Sequence, residues 1–66
     1  MTEYEYKGKK YIVLFSSKMK IGQKWIPVLI YKCLYDNPDG EIWVREEGEF
    51  WKLFKEVKYE NRDSKE

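Results

Sequence analysis

The sequence predicts a mainly β domain: a small curled antiparallel sheet of about four strands with one C-terminal helix. Three observations predict it. Short β-branched and aromatic runs alternate with turn formers. The apolar period changes from two to 3.6 after Arg45. The chain has 66 residues, enough for one domain and one modest core.

Tyr4-Glu5-Tyr6-Lys7 alternates and reads as a first strand. Lys7-Gly8-Lys9 turns the chain, because glycine supplies backbone freedom. Lys10 to Ser16 is β-branched and aromatic, a second strand that closes an N-terminal hairpin. Ser17 to Lys24 is polar and lysine-bearing around Gly22, and is expected to be a loop. Its tip, Lys18-Met19-Lys20-Ile21, lifts apolar side chains onto a basic segment, either as a contact surface or folded back on the core. Pro27 lacks a backbone donor, so the third strand is expected over Val28 to Tyr35. Asp36-Asn37-Pro38-Asp39-Gly40 is a turn; the ligand spacing of a calcium loop is absent from it. Glu41 to Arg45 is the fourth strand.

Phe50, Leu53, Phe54 and Val57 then fall on one face of a helix expected from about Glu47 to Tyr59. Acids Glu46, Glu47 and Glu49 near its start and Lys55 and Lys58 toward its end suit the helix dipole. Residues 1–59 thus form one domain. Residues 60–66 contain no apolar side chain and are expected to be a charged flexible tail.

The strands carry more apolar surface than one helix can cover. Tyr11, Val13 and Phe15 oppose Ile12 and Leu14; Leu29, Tyr31, Cys33 and Tyr35 oppose Val28, Ile30, Lys32 and Leu34. A sheet wet on one face should alternate apolar and polar residues, and these strands are apolar on both. Two architectures resolve this. The sheet curls into an SH3-like or half-barrel form, or a second copy covers the outer face. The expected core is Ile12, Leu14, Val28, Ile30, Leu34, Ile42, Val44, Phe50, Leu53, Phe54 and Val57.

Composition excludes several chemistries. Cys33 is the only cysteine and there is no histidine, so neither an internal disulfide nor a usual zinc set is available. Cys33 is expected to be a small buried hydrophobe. Ser16 and Ser17 have no histidine base, and no phosphate-binding glycine loop or dinucleotide fingerprint is present. The chain reads as no enzyme, with no catalytic residues, no metal and no cofactor. It starts without a signal peptide and holds no run of ~20 apolar residues to span a membrane. The cytoplasm is the expected compartment.

What remains points to binding. Twelve residues are aromatic. Net charge is +1, but Met1 to Lys24 carries six lysines against two acids, whereas Asp36 to Glu66 carries ten acids against six bases. Such asymmetry marks an anion-binding end, an ordinary solvated surface, or head-to-tail self-association. Rings with lysines suit flat anionic ligands: stacking contributes ~1–3 kcal/mol per base while cations meet phosphate. The leading expectation is a homo-oligomer that binds an anionic aromatic ligand such as a small nucleotide. The ligand-binding candidates are Tyr11, Tyr31, Trp43, Arg45 and Trp51, with Lys18, Lys20 and Lys24. Arg45 is foremost because its fork grips phosphate bidentately, though it can instead pair with an acid such as Glu47. The alternatives are a module that inhibits or adapts a host protein and, less suited to near-neutral charge, a binder of single-stranded nucleic acid.

Lys7-Gly8-Lys9-Lys10-Tyr11, Val28 to Tyr35, and Ile42-Trp43-Val44-Arg45 followed by Phe50 together resemble a family of small bacterial and phage domains of unknown function. Its pattern is Lys-Gly-x-x-Tyr, Val-x-Tyr-x-x-Leu-Tyr and Trp-Val-Arg-Pro-x-x-x-Phe, and the resemblance covers about residues 6 to 57. Glu46 stands where the family has proline, and the basic Lys18 to Lys24 segment replaces an acidic one. The resemblance implies the fold and no established activity. By analogy of size and composition, small phage proteins of this kind sequester a nucleotide immune signal or block a host protein.

Overall fold

A computed structural model describes residues 1–59; the expected tail at 60–66 lies outside the described residues. Five strands and one helix follow in order: β1 (Tyr4–Tyr6), β2 (Lys9–Ile21), β3 (Lys24–Cys33), β4 (Ile42–Glu46), α1 (Glu47–Leu53) and β5 (Lys55–Glu56). They form one open antiparallel sheet in the order β4-β3-β2-β1-β5, so the sheet has five strands rather than four.

Two tight turns set its registers. Tyr6 faces Lys9 across Lys7-Gly8, where both residues have positive φ, 53° and 78°. That is the type I′ geometry whose twist matches the flanking strands. Ile21 faces Lys24 across Gly22-Gln23, with positive φ at Gly22 alone, as type II′ requires.

This second turn overturns the loop expected at Ser17 to Lys24. Ser17 to Ile21 pairs with Val28 to Lys24 as the outer part of a long ribbon. Its polar character masked a period of two: Lys18 and Lys20 lie on one face, Met19 and Ile21 on the other. β3 accordingly starts at Lys24 and ends at Cys33, not Val28 to Tyr35. Pro27 is accommodated because β4 flanks β3 only from Val28 to Lys32, leaving Pro27 on an edge where no donor is needed. This ribbon, called here the arm, stretches the molecule to 54 × 28 × 18 Å. The radius of gyration is 14.5 Å, against the ~11 Å of a compact domain this size.

A β-bulge decides which side chains face the helix. Val13 pairs with Tyr31 and Phe15 with Ile30, leaving Leu14 without a partner. Past it the pattern of β2 reverses. Phe15 therefore joins the face of Ile12 and Ile30, not that of Tyr11 and Val13. On the opposite face Tyr11, Leu29, Tyr31 and Cys33 pack with Phe50 and Phe54, flanked by Tyr4, Tyr6, Val13, Tyr35 and Leu53.

The core is thus mainly aromatic, and much of the expected aliphatic core faces outward. Leu14, Leu34, Ile42 and Val44 are exposed; Ile12 and Val28 are buried but lie outside the central cluster. Tyr11 and Tyr31, expected as ligand-facing rings, are mostly buried. Ring pairs supply the cohesion: Phe50 stacks on Phe54 at 4.0 Å, and Tyr31 meets both edge-on at 5.3 Å.

The helix is shorter than its stripe predicted. Glu46 caps it by accepting from the Glu49 amide at 2.9 Å, and Glu47 and Glu49 occupy the first turn. It ends at Leu53, where Phe54 turns extended (φ −95°, ψ 138°) while its amide still reaches the Phe50 carbonyl. The chain then pairs with β1 as β5, and the Val57 amide bonds the Glu3 carbonyl. Covering an open sheet edge outweighs further helical turns that would bury only Val57. Tyr59 completes the seam: its hydroxyl donates to Glu3 at 2.6 Å and accepts from Lys10 at 3.2 Å.

Candidate functional site

A cup of about 200 Å³ opens on the helix-bearing face of the sheet. Four strands and the turn after β3 build it. Its rings are Tyr6 from β1, Tyr11 from β2, Tyr31 from β3, Trp43 from β4, and Tyr35 beyond β3, with Phe54 beside them. Cys33, Asn37 and Arg45 complete the lining. Strand alternation explains the gathering, because Tyr31, Cys33 and Tyr35 recur at every second residue.

Hydrogen bonds fix the polar groups. Tyr11 and Tyr35 share a hydroxyl pair at 3.2 Å, and Asn37 Nδ2 donates to the Tyr35 hydroxyl at 3.2 Å and more distantly to Cys33 Sγ at 3.7 Å. Trp43 Nε1 donates to the Gly40 carbonyl at 2.9 Å, which ties the indole to the turn. The hydrogen bond with Tyr11 and then that with Cys33 hold the Tyr35 phenol well above its ordinary range. Tyr35 is therefore a hydrogen-bonding neutral group at physiological pH. Lys9 lies 4.7 Å from the Tyr35 ring centre and adds a cation beside the cup.

Arg45 is the cation in the wall. Its Nε donates to the Tyr31 hydroxyl at 3.3 Å, and its guanidinium carbon lies 5.5 Å from the Tyr6 ring centre and 5.4 Å from that of Phe54. The acid it meets is Glu49, one helical turn on, at 3.6 Å, rather than Glu47. Burial opposes its charge, but the Tyr31 hydrogen bond and the Glu49 carboxylate outweigh that and shift it upward. The guanidinium is held in place and permanently charged.

The structure brings together Tyr11, Tyr31, Trp43 and Arg45 and separates the other four candidates from them. Lys18, Lys20 and Lys24 lie on the arm. Lys20 sits 5.8 Å from the ring centre of Trp25, its cross-strand neighbour. Trp51 packs edge-on against Tyr4 at 5.3 Å and Phe50 at 5.0 Å, away from the cup lining. The helix ends before Lys55, so Lys55 and Lys58 do not share its face. Sequence reasoning passed over Tyr6, Tyr35 and Asn37. The signal for the first two was present, since Tyr6 alternates with Tyr4 and Tyr35 with Tyr31; Asn37 gave only a turn.

Two larger hollows, of about 370 and 310 Å³, are surface grooves: the first holds one ring, Tyr6, and the second none. Among the described residues no three His, Cys, Asp or Glu side chains gather to hold a metal, and no helix is long and apolar enough to cross a membrane. The buried thiol of Cys33 is unpaired with any other cysteine. Comparison with protein-family models, curated proteins and solved structures gives no match.

Proposed function

We propose that this chain is a non-enzymatic binding protein of the cytoplasm whose aromatic cup receives the planar, anionic end of a small ligand. A nucleobase with its adjoining phosphate has that chemistry. The observation that carries the reading is Arg45, set among Tyr6, Phe54 and Tyr31 in the wall of a ring-lined cavity. Its position needs little reordering on binding, which is where affinity is usually lost. The cup's 200 Å³ falls below the ~300–1,000 Å³ that enclose a drug-sized ligand. It therefore takes one ring system and leaves the remainder of a nucleotide outside, toward Lys9. One chain supplies the whole lining, so each protomer of an oligomer holds its own ligand. Sequestration of a nucleotide signal, as a phage protein does to a host defence, suits such a site. A second reading, a module that docks on a host protein, is favoured by the aliphatic face on the reverse of the sheet.

The test is a titration of Trp43 fluorescence with adenosine monophosphate and with a cyclic dinucleotide, on wild type and on Arg45→Lys. Saturable quenching that weakens about tenfold or more when the fork is lost supports the cup. Equal binding by Arg45→Lys, or no binding of any anionic ring compound, sinks it. Native mass spectrometry of the protein as purified would weigh any ligand it carries.

A further inference from the structure

The β2–β3 hairpin is the cationic part of the molecule. Tyr6 to Tyr35 holds seven lysines and no acid, and all twelve acids lie outside it. A net charge of +1 therefore hides a division into two signs. Asp36, Asp39 and Glu41, in the turn after β3, are separated from the arm by the length of that strand. Ten residues span roughly 30 Å at ~3.3 Å each, several times the ~8 Å screening length. Glu46 faces Val28, and Glu47 shares a groove with Lys18 and Pro27. These acids make the base of the arm the limit of its positive surface.

Shape narrows the choice of anion. β1 flanks β2 only at Lys9 to Tyr11, and β4 flanks β3 only from Val28 to Lys32. The arm thus projects as a bare two-stranded ribbon, Ser17 to Ile21 paired with Lys24 to Val28, ~16 Å long. Lys18, Lys20 and Trp25 leave it on the cup-bearing face, and Lys24 on the other. Trp25 is 63% exposed, with the Lys20 ammonium 5.8 Å from its ring centre. A single strand is normally held in a basic groove with a run of stacking rings, whereas this ribbon is convex and carries one ring. It suits the reverse arrangement, in which protein enters the nucleic acid. The ~12 Å major groove of B-DNA admits a two-stranded β-ribbon, and cations on both faces of the ribbon meet the phosphates on both sides of the groove. A bilayer would accept Met19, Ile21 and Ile26, but its core cannot satisfy the unpaired backbone along the ribbon's two edges. In a wet groove those amides reach phosphate oxygens.

We propose that the arm is a finger for duplex DNA that enters the major groove. Lys18, Lys20 and Lys24 meet phosphates, and Trp25 packs on the apolar surface between them. Binding is driven by phosphate contacts and is weakly selective for sequence. The arm stands outside the cup lining, so the inference is independent of the ligand reading.

The experiment is fluorescence anisotropy of a labelled DNA duplex of about 20 base pairs, titrated with the full chain from about 50 to 200 mM salt. Three phosphate contacts give an expected slope of about −2.7 in log affinity against log salt, a loss of about forty-fold across that range. Lys18→Gln, Lys20→Gln and Lys24→Gln should each flatten the slope by about one. Trp25→Ala should weaken binding and leave the slope unchanged, because it removes a ring and no charge. Lys52→Gln, on the helix, should change the affinity by less than about twofold. Circular dichroism spectra should match wild type throughout. No duplex binding at the lowest salt overturns the proposal, as does a slope indifferent to the three arm substitutions. Tighter binding to the single strand, or equal binding to an RNA duplex whose major groove is too narrow to enter, overturns the groove fit. Preference for phosphatidylglycerol vesicles over the duplex overturns it in favour of a membrane.

Discussion

The two faces of this sheet are built from different side chains and hold different amounts of structure. The helix-bearing face is aromatic: Tyr11, Tyr31, Phe50 and Phe54 meet edge-on or stacked, the Tyr31 hydroxyl accepts from Arg45, and the Tyr11 hydroxyl pairs with that of Tyr35. The reverse face is largely aliphatic, with Ile12, Ile30, Ile42 and Val44 beside Phe15 and Lys32. The contrast teaches where each kind of residue is useful. Rings with polar tips fill a small core and still present hydrogen-bonding groups at its rim.

Truncation separates the faces most sharply. Phe50 is fully buried, so Phe50→Ala should cost about 3–5 kcal/mol and unfold much of so small a domain. Phe15→Ala, on the other face, should change the stability of the dilute monomer by less than about 0.5 kcal/mol. Urea denaturation at low protein concentration measures both, and equal losses would break the distinction. Next in size is Arg45→Ala. It removes a hydrogen bond and contacts with two rings, an expected loss of ~1–2 kcal/mol, whereas Glu49→Gln at the exposed ion pair should cost under ~0.5 kcal/mol.

Gly22→Ala probes the arm. A Cβ there meets nothing within 4 Å, and only the positive φ of 62° is strained, so the cost should be ~1 kcal/mol. Amide exchange should quicken along Ser17 to Pro27 and stay unchanged around Phe50. Spread of the effect into the core would show that the arm and the body fold as one unit. The smallest effect concerns pH. The Tyr35 phenol is raised mainly by Tyr11, so its share of stability is present below the unfolded phenol value of ~10. That share falls as pH rises beyond it toward the higher folded value. Ultraviolet titration should show the late Tyr35 phenol in wild type, and Tyr11→Phe should lower its titration point. An unchanged profile would remove the hydroxyl pair from the account.

Four of the five strands, the Lys7-Gly8 turn and the apolar character of both faces were legible in the sequence, because β-branched runs and glycine turns are local signals; the two-residue β5 carries neither. Of the eight residues expected at a ligand site, Tyr11, Tyr31, Trp43 and Arg45 line one cup, while Trp51, Lys18, Lys20 and Lys24 lie elsewhere. Which face the helix chooses was not. The aliphatic residues are the more hydrophobic, and the unpartnered Leu14 shifts Phe15 across the sheet with no mark in the residue pattern. The arm hid behind its lysines, since composition suggested a loop while alternation of Lys18, Met19, Lys20 and Ile21 pointed to a strand. The helical stripe through Phe50, Leu53, Phe54 and Val57 was real but incomplete. Phe54 reaches the core just as well from an extended backbone, which frees the next residues to cover β1.

That last pairing governs the order in which the molecule assembles and comes apart. The β2–β3 ribbon zips from a two-residue turn, so its contacts cost little loop closure. The seam between Glu3 and Tyr59 joins groups 56 positions apart and rests on a strand of two residues. It should therefore be the last contact made in folding and the first to open in the native state. Breathing at this seam would unlatch Tyr4 and Tyr6 from the core, so the rate at which Tyr6 leaves the cup wall would be set by a clasp on the far edge of the sheet.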